Sequence, residues 1–117
     1  MRQVQTEEEF AAIVGDRKPT VAVFKASWCK DCHYIEPFMA DVEEQYKEKL
    51  TFVHVDRDDF PDLCDSLQIL GIPSFVVFLD GREIVRFVSK LRKTREEIEQ
   101  FLDRAIAVAD SLPQTGA

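Results

Sequence analysis

Two cysteines two residues apart, Cys29-Lys30-Asp31-Cys32, constrain this chain more than any other stretch. They follow Pro19-Thr20-Val21-Ala22-Val23-Phe24-Lys25-Ala26, whose apolar and β-branched content predicts a buried strand. Residues 30 to 47 predict a helix with Ile35, Phe38, Met39 and Val42 as its apolar positions and a kink at Pro37. The pair therefore stands where a strand gives way to a helix. A sulfur at a helix N-terminus meets unpaired N–H groups and the positive end of the helix dipole, which favour thiolate over thiol. The thiolate is the nucleophile of disulfide exchange, and a two-residue gap lets the second sulfur close on the first. Cys29 and Cys32 read as a reversible redox centre.

The 117 residues make one domain with enough apolar content, 45%, for a core without staples. A net charge of −7 argues against nucleic acid or an anionic membrane as the main partner. With neither a basic-plus-apolar leader nor an apolar run of membrane length, the chain is expected to be cytoplasmic. Three cysteines there point to catalysis or metal binding rather than a disulfide framework. Zinc would need two ligands besides the pair, and only Cys64, His33 and His54 remain beside the acids, so no metal is expected. Cys29-Lys30-Asp31-Cys32-His33 also fits the c-type haem attachment pattern, but that chemistry needs export and an exposed site. Cys64 falls on an inward-facing helical position, as a small core residue.

Along the chain, residues 2 to 5 predict an edge strand, and Thr6-Glu7-Glu8-Glu9 a capping box opening a helix with Phe10, Ile13 and Val14 on one face. Leu50 to Asp56 predicts a strand, and residues 58 to 67 a short helix with Pro61 in its first turn. Ser74 to Leu79 and Arg82 to Val88 predict a hairpin turning at Asp80-Gly81. Thr94-Arg95-Glu96-Glu97 caps a final helix striped by Ile98, Phe101, Leu102, Ala105 and Ile106. The expected order is β-α-β-α-β-α-β-β-α.

With Trp28 before the cysteine pair, Pro37 in the helix and Ile72-Pro73 before a hairpin, residues 2 to about 108 resemble a thioredoxin. The resemblance implies an α/β thioredoxin fold, a central mixed sheet flanked by helices on both faces. Residues 1 to 109 would form that domain and 110 to 117 a polar tail, whose Leu112-Pro113-Gln114-Thr115-Gly116 resembles a sortase motif. The resemblance also implies a cis bond before Pro73, facing the cysteines, and an Ile72 backbone that offers hydrogen bonds to an extended substrate. Cys29 would attack a substrate disulfide, Cys32 would resolve the mixed disulfide, and Trp28 would pack beside the pair. No bound cofactor is needed beyond the redox-active Cys29–Cys32 disulfide. The substrate would be a disulfide-containing protein or a low-molecular-weight disulfide, and the electron source a flavoprotein thioredoxin reductase. A binding or holdase module without redox turnover is the rival, although binding alone requires neither the cysteine pair nor Pro73.

The chain departs from the family's usual pattern at several positions. Lys30-Asp31 replaces Gly-Pro between the cysteines, and the two charges act on the thiolate with opposite sign. Val23 replaces the buried acid, His54 its lysine neighbour and Lys25 a second tryptophan, while Ser89-Lys90 replaces a small Gly-Ala-like pair. Without the acid, His54 is a candidate proton relay, its ordinary pKa of about 6.5 suited to the task. Lys25 and Lys30 are candidates for tuning the thiolate.

Overall fold

The computed structural model describes residues 1–113. The elements run β1 (Arg2–Gln3), α1 (Glu7–Val14), β2 (Thr20–Lys25), α2 (Lys30–Tyr46), β3 (Thr51–Asp56), α3 (Pro61–Ser66), β4 (Ser74–Leu79), β5 (Arg82–Phe87) and α4 (Arg95–Ser111). The order is the expected one. In the sheet the strands lie β1-β3-β2-β4-β5, with β1, β3 and β2 parallel and β4 and β5 antiparallel.

Alternation along the strands sends successive side chains to opposite faces and makes two cores. Val21, Val23, Phe52, Phe75 and Val77 meet Ile35, Met39 and Val42 of α2 and Ile98, Leu102 and Ala105 of α4. Ala22, Phe24, Val53, Val55, Val76 and Phe78 meet Phe10 and Val14 of α1 and Cys64 of α3. β2 is buried along nearly its whole length because helices cover both its faces. Its C-terminal end therefore delivers the following loop, and the cysteines, to one rigid edge of the sheet.

Local chemistry sets the ends of the elements. Thr94 and Glu97 exchange side-chain and backbone hydrogen bonds in a complete capping box at the start of α4. The box expected at Thr6 is only half formed: the Glu9 N–H donates to Thr6 Oγ1, but the Glu9 carboxylate accepts from the Gln5 N–H at 3.1 Å. Asp80 and Gly81 both take positive φ (52° and 80°), the type I′ geometry that matches the twist of a two-residue hairpin.

Two boundaries differ from expectation, while α2 spans Lys30–Tyr46 with Pro37 inside it, within a residue of the expected 30 to 47. The edge strand is two residues rather than four, because only Arg2 and Gln3 pair with β3. α4 continues to Ser111, so Asp110 and Ser111, assigned to the tail from sequence, are helical, and Ala109 lies against the body of the protein. Gln114 to Ala117, with the rest of the sortase-like motif, lie outside the described residues.

Candidate active site

Cys29 is the N-cap of α2, in extended backbone just beyond the end of β2. Its Sγ accepts a hydrogen bond from the Cys32 N–H at 3.1 Å, and its S–H donates to the Ile72 carbonyl at 3.6 Å. A sulfur thus occupies the place usually taken by a serine or aspartate oxygen at a helix start, facing an otherwise unpaired amide and the positive end of the dipole. Cys32, one turn in, packs with Ala26, Cys29 and Ile72. Both cysteines are reduced, and they are 6% and 1% exposed, Cys29 the more open. Burial, reinforced by the hydrogen bond to Cys29, pushes the Cys32 thiol up to about 12. Cys32 therefore enters any reaction at neutral pH carrying its proton.

The opposite wall is the turn before β4. The Ile72–Pro73 bond is cis. Gly71 lies so close to the segment after β5 that an added Cβ would stand 2.3 Å from the Ser89 carbonyl oxygen and 2.8 Å from the Lys90 nitrogen. Absence of a side chain at Gly71 lets this segment close over the turn. Trp28, Arg57, Leu70, Gly71, Ile72 and Lys90 line an open cavity of about 280 Å³ beside the sulfurs. Trp28 lies on its rim, 60% exposed, with its indole N–H donating to Asp58 Oδ2 at 2.9 Å. Leu70, which lines this cavity, and Leu91, next to Lys90 in the chain, are 73% and 76% exposed.

The charges between the cysteines have distinct surroundings. Asp31 is held by Arg92 of the segment after β5, Nε to Oδ1 at 2.9 Å, and that guanidinium lies 4.4 Å over the Tyr34 ring. Lys30 is exposed and forms no ion pair among the described residues. Lys25 ends β2 beside Asp56 of β3, and its charge favours the Cys32 thiolate.

His54 pairs in register with the fully buried Val23, and its Nε2 is buried without a hydrogen-bond partner among the described residues. Burial, and then the Lys25 charge, hold its pKa below the ordinary value. The charged groups acting most on His54 are Lys25, Asp56, the N-terminus and Asp59. His33, next to the pair, is exposed: its Nε2–H donates to the Ser27 carbonyl at 2.6 Å, and this bond together with Glu36 raises its pKa. Cys64 lies in the core on the other side of the sheet, where burial pushes its thiol up to about 11. Among the described residues no three His, Cys, Asp or Glu side chains are grouped as a metal ion requires.

Sequence reasoning missed three residues of this region. Asp58 anchors Trp28, and the Asp56-Arg57-Asp58 spacing is its signal, since Asp56 Oδ1 accepts from the Asp58 N–H in an Asx turn. Arg92 neutralises Asp31, although it lies 61 positions away in the chain. Lys93, in the segment before α4, is 1% exposed.

The family model for thioredoxin matches residues 2–104. The chain is 31% identical over 98 residues to "Thioredoxin X, chloroplastic" of Arabidopsis thaliana, covering 83% of this chain and 54% of that protein. It is 33% identical over 97 residues to "Thioredoxin-2, mitochondrial" of Schizosaccharomyces pombe, covering 80% and 72%. A crystal structure of thioredoxin from Trypanosoma brucei brucei superimposes with a TM-score of 0.79 at 25% identity, over 90% of this chain and 89% of that one. The chain thus spans little more than half the length of the first of these relatives, and its sheet and helices form a thioredoxin fold.

Proposed function

The chain belongs to the thioredoxin family, and from its site we propose that it is a thiol–disulfide oxidoreductase acting as a disulfide reductase through Cys29 and Cys32. One observation carries this reading: the Cys29 sulfur caps α2 at 3.1 Å from the Cys32 N–H, one helical turn from a second, protonated sulfur. In the first step the Cys29 thiolate attacks one sulfur of a substrate disulfide. The S–S bond breaks, a mixed disulfide forms, and the departing substrate thiolate takes a proton from solvent. In the second, Cys32 loses its proton and attacks the Cys29 sulfur, which releases the other substrate thiolate. Two electrons pass to the substrate, and the Cys29–Cys32 disulfide remains.

The substrate in this reading is a disulfide in an extended protein segment. Exposed Trp28, Leu70 and Leu91 supply apolar contact around the sulfurs, and the turn at Ile72-Pro73 supplies backbone for pairing with that segment. Low-molecular-weight disulfides fill less of this surface. A flavoprotein reductase returns the electrons, in a reducing compartment such as the cytoplasm. The binding-module alternative leaves unexplained why a sulfur, rather than an oxygen, caps α2.

Trapping separates the two readings. Cys32→Ser, mixed with a protein disulfide, is expected to accumulate a Cys29-linked mixed disulfide visible by non-reducing electrophoresis. Cys29→Ser is expected to accumulate none. Equal trapping by both variants, or by neither, contradicts the assignment of roles.

A further inference from the structure

Two of the residues lining the cavity beside the sulfurs are cations, Arg57 and Lys90, and none is an acid. Arg57 follows β3, and its N–H donates to the Lys25 carbonyl at the end of β2 at 2.8 Å. Lys90 follows β5, where its backbone closes on Gly71. With the strands in the order β3-β2-β4-β5, the two cations come to the turn before β4 from opposite sides. Ile72 of that turn lines the same cavity, and its carbonyl accepts from the Cys29 thiol at 3.6 Å.

Both cations are exposed, and among the described residues neither forms an ion pair. Several acids of this end of the molecule have partners of their own. Asp58 Oδ2 accepts from the Trp28 indole, Asp56 Oδ1 from the Asp58 and Asp59 N–H groups, and Asp31 from Arg92. Arg57 also lines a second cavity with Asp58, Pro61, Cys64 and Asp65, and is paired with neither acid. Those acids, and a net charge of −7, repel a partner that is acidic throughout. What the site attracts is a single carboxylate placed in the cavity, within the short range of Arg57 and Lys90. The volume of about 280 Å³ falls below the roughly 300–1,000 Å³ of small-molecule pockets and suits a side chain rather than a whole ligand.

We propose that this cavity is a specificity subsite for a substrate carboxylate, held between Arg57 and Lys90, and that the preferred substrates are disulfides in extended protein segments with an Asp or Glu close to the attacked cysteine. The inference deepens the proposed function and rests on its reading of Cys29 and Cys32. In an extended segment, side chains two residues apart face the same way, so a carboxylate two places from the cysteine meets the cavity as the disulfide meets Cys29. Arg57 offers a planar fork of donors and Lys90 a point charge, which together hold a carboxylate from two directions. Ion pairs on so open a surface add little affinity; their effect is to rank substrates and fix register. Trp28 and Leu70, in the same wall, take the apolar stem of that side chain.

The test uses three peptides of one sequence, each with a single cysteine blocked by 2-mercaptoethanol as a mixed disulfide. They carry Glu, Gln or Lys at both positions two residues from that cysteine. Reduced protein is mixed with each at pH 7 and physiological ionic strength, and the rate of peptide thiol release is measured. The Glu peptide is expected to react about threefold to tenfold faster than the Gln peptide, the size of two exposed ion pairs, and the Lys peptide more slowly than both. Arg57→Gln and Lys90→Gln each lower the Glu-to-Gln ratio, and Arg57→Glu combined with Lys90→Glu moves the preference to the Lys peptide.

Equal rates with the Glu and Gln peptides, or a ratio that the charge-reversed double variant leaves intact, overturn the proposal. Oxidised glutathione reduced faster than the Glu peptide would assign the cavity to a small anionic disulfide and overturn it as well. A parent that reduces all three peptides at one rate refutes only the subsite. A parent that reduces neither the peptides nor glutathione refutes the proposed function itself.

Discussion

Gly71→Ala probes the closure of the site with a single methyl group. The new Cβ would stand 2.3 Å from the Ser89 oxygen, 2.6 Å from the Ser89 carbonyl carbon and 2.8 Å from the Lys90 nitrogen. All three are backbone atoms, so no side-chain rotation relieves the contact. Ordinary van der Waals separation requires the two segments to part by about 1 Å. The 89–93 segment resists because Lys93 ties Ser89 and Leu91 together and Arg92 ties it to Asp31. Overpacking of this kind costs about 1–3 kcal/mol. For a urea slope of about 1–1.5 kcal/mol/M the unfolding midpoint then falls by about 0.7–3 M with little change in slope. Disulfide exchange is expected to slow as well, because Lys90 and Leu91 move from the rim. A Gly71→Ala protein within about 0.5 kcal/mol of the parent, with unchanged exchange, would refute the claim that backbone contact at Gly71 shapes the site.

Thr94→Ala removes a complete capping box and is expected to cost about 1 kcal/mol in urea unfolding, whereas Thr6→Ala, at a half-formed box, should cost less. Arg92→Ala leaves Asp31 uncompensated beside the sulfurs, so exchange at pH 7 should slow, and added salt should reduce the difference from the parent. His54 is held below its ordinary pKa of 6.5 in the folded protein, so the unfolded chain protonates there first. Its contribution to stability is complete above about pH 6.5 and is lost as pH falls from that value through the lower folded one. Urea midpoints at pH 7.5 and 5 should therefore differ less in His54→Leu than in the parent; an equal difference rejects this linkage. The same variant tests the relay: unchanged pH dependence of exchange between pH 6 and 8 excludes a proton-transfer role for His54.

Much of the architecture was legible because local signals and periodicity agree. β2 and β4 announce themselves as short β-branched runs, α4 by its Thr94–Glu97 cap and apolar stripe, and the β4–β5 turn by Asp80-Gly81. The cysteine pair was legible because its chemistry is fixed by two residues and their place at a strand end. The missed features are long-range. Nothing in Leu91-Arg92-Lys93 tells that one cation bonds across the fold to Asp31 while the next is buried on neutral oxygens. Burial of a lysine depends on a pocket built from β5 and the turns after it, and hydropathy at its own position points the other way. Thr6 illustrates the converse limit: the capping sequence is present, but the Glu9 carboxylate finds the Gln5 amide instead.

The most direct test of the central claim is the midpoint potential of the Cys29–Cys32 pair, equilibrated in thiol–disulfide buffers at pH 7. Trp28, the single tryptophan, stands on the rim beside the pair and reports its state by fluorescence. A reversible two-electron transition near about −230 to −270 mV is the result the reductase reading predicts. A value near about −120 to −180 mV would make the protein an oxidant or isomerase, and the absence of any reversible transition would leave only a binding module.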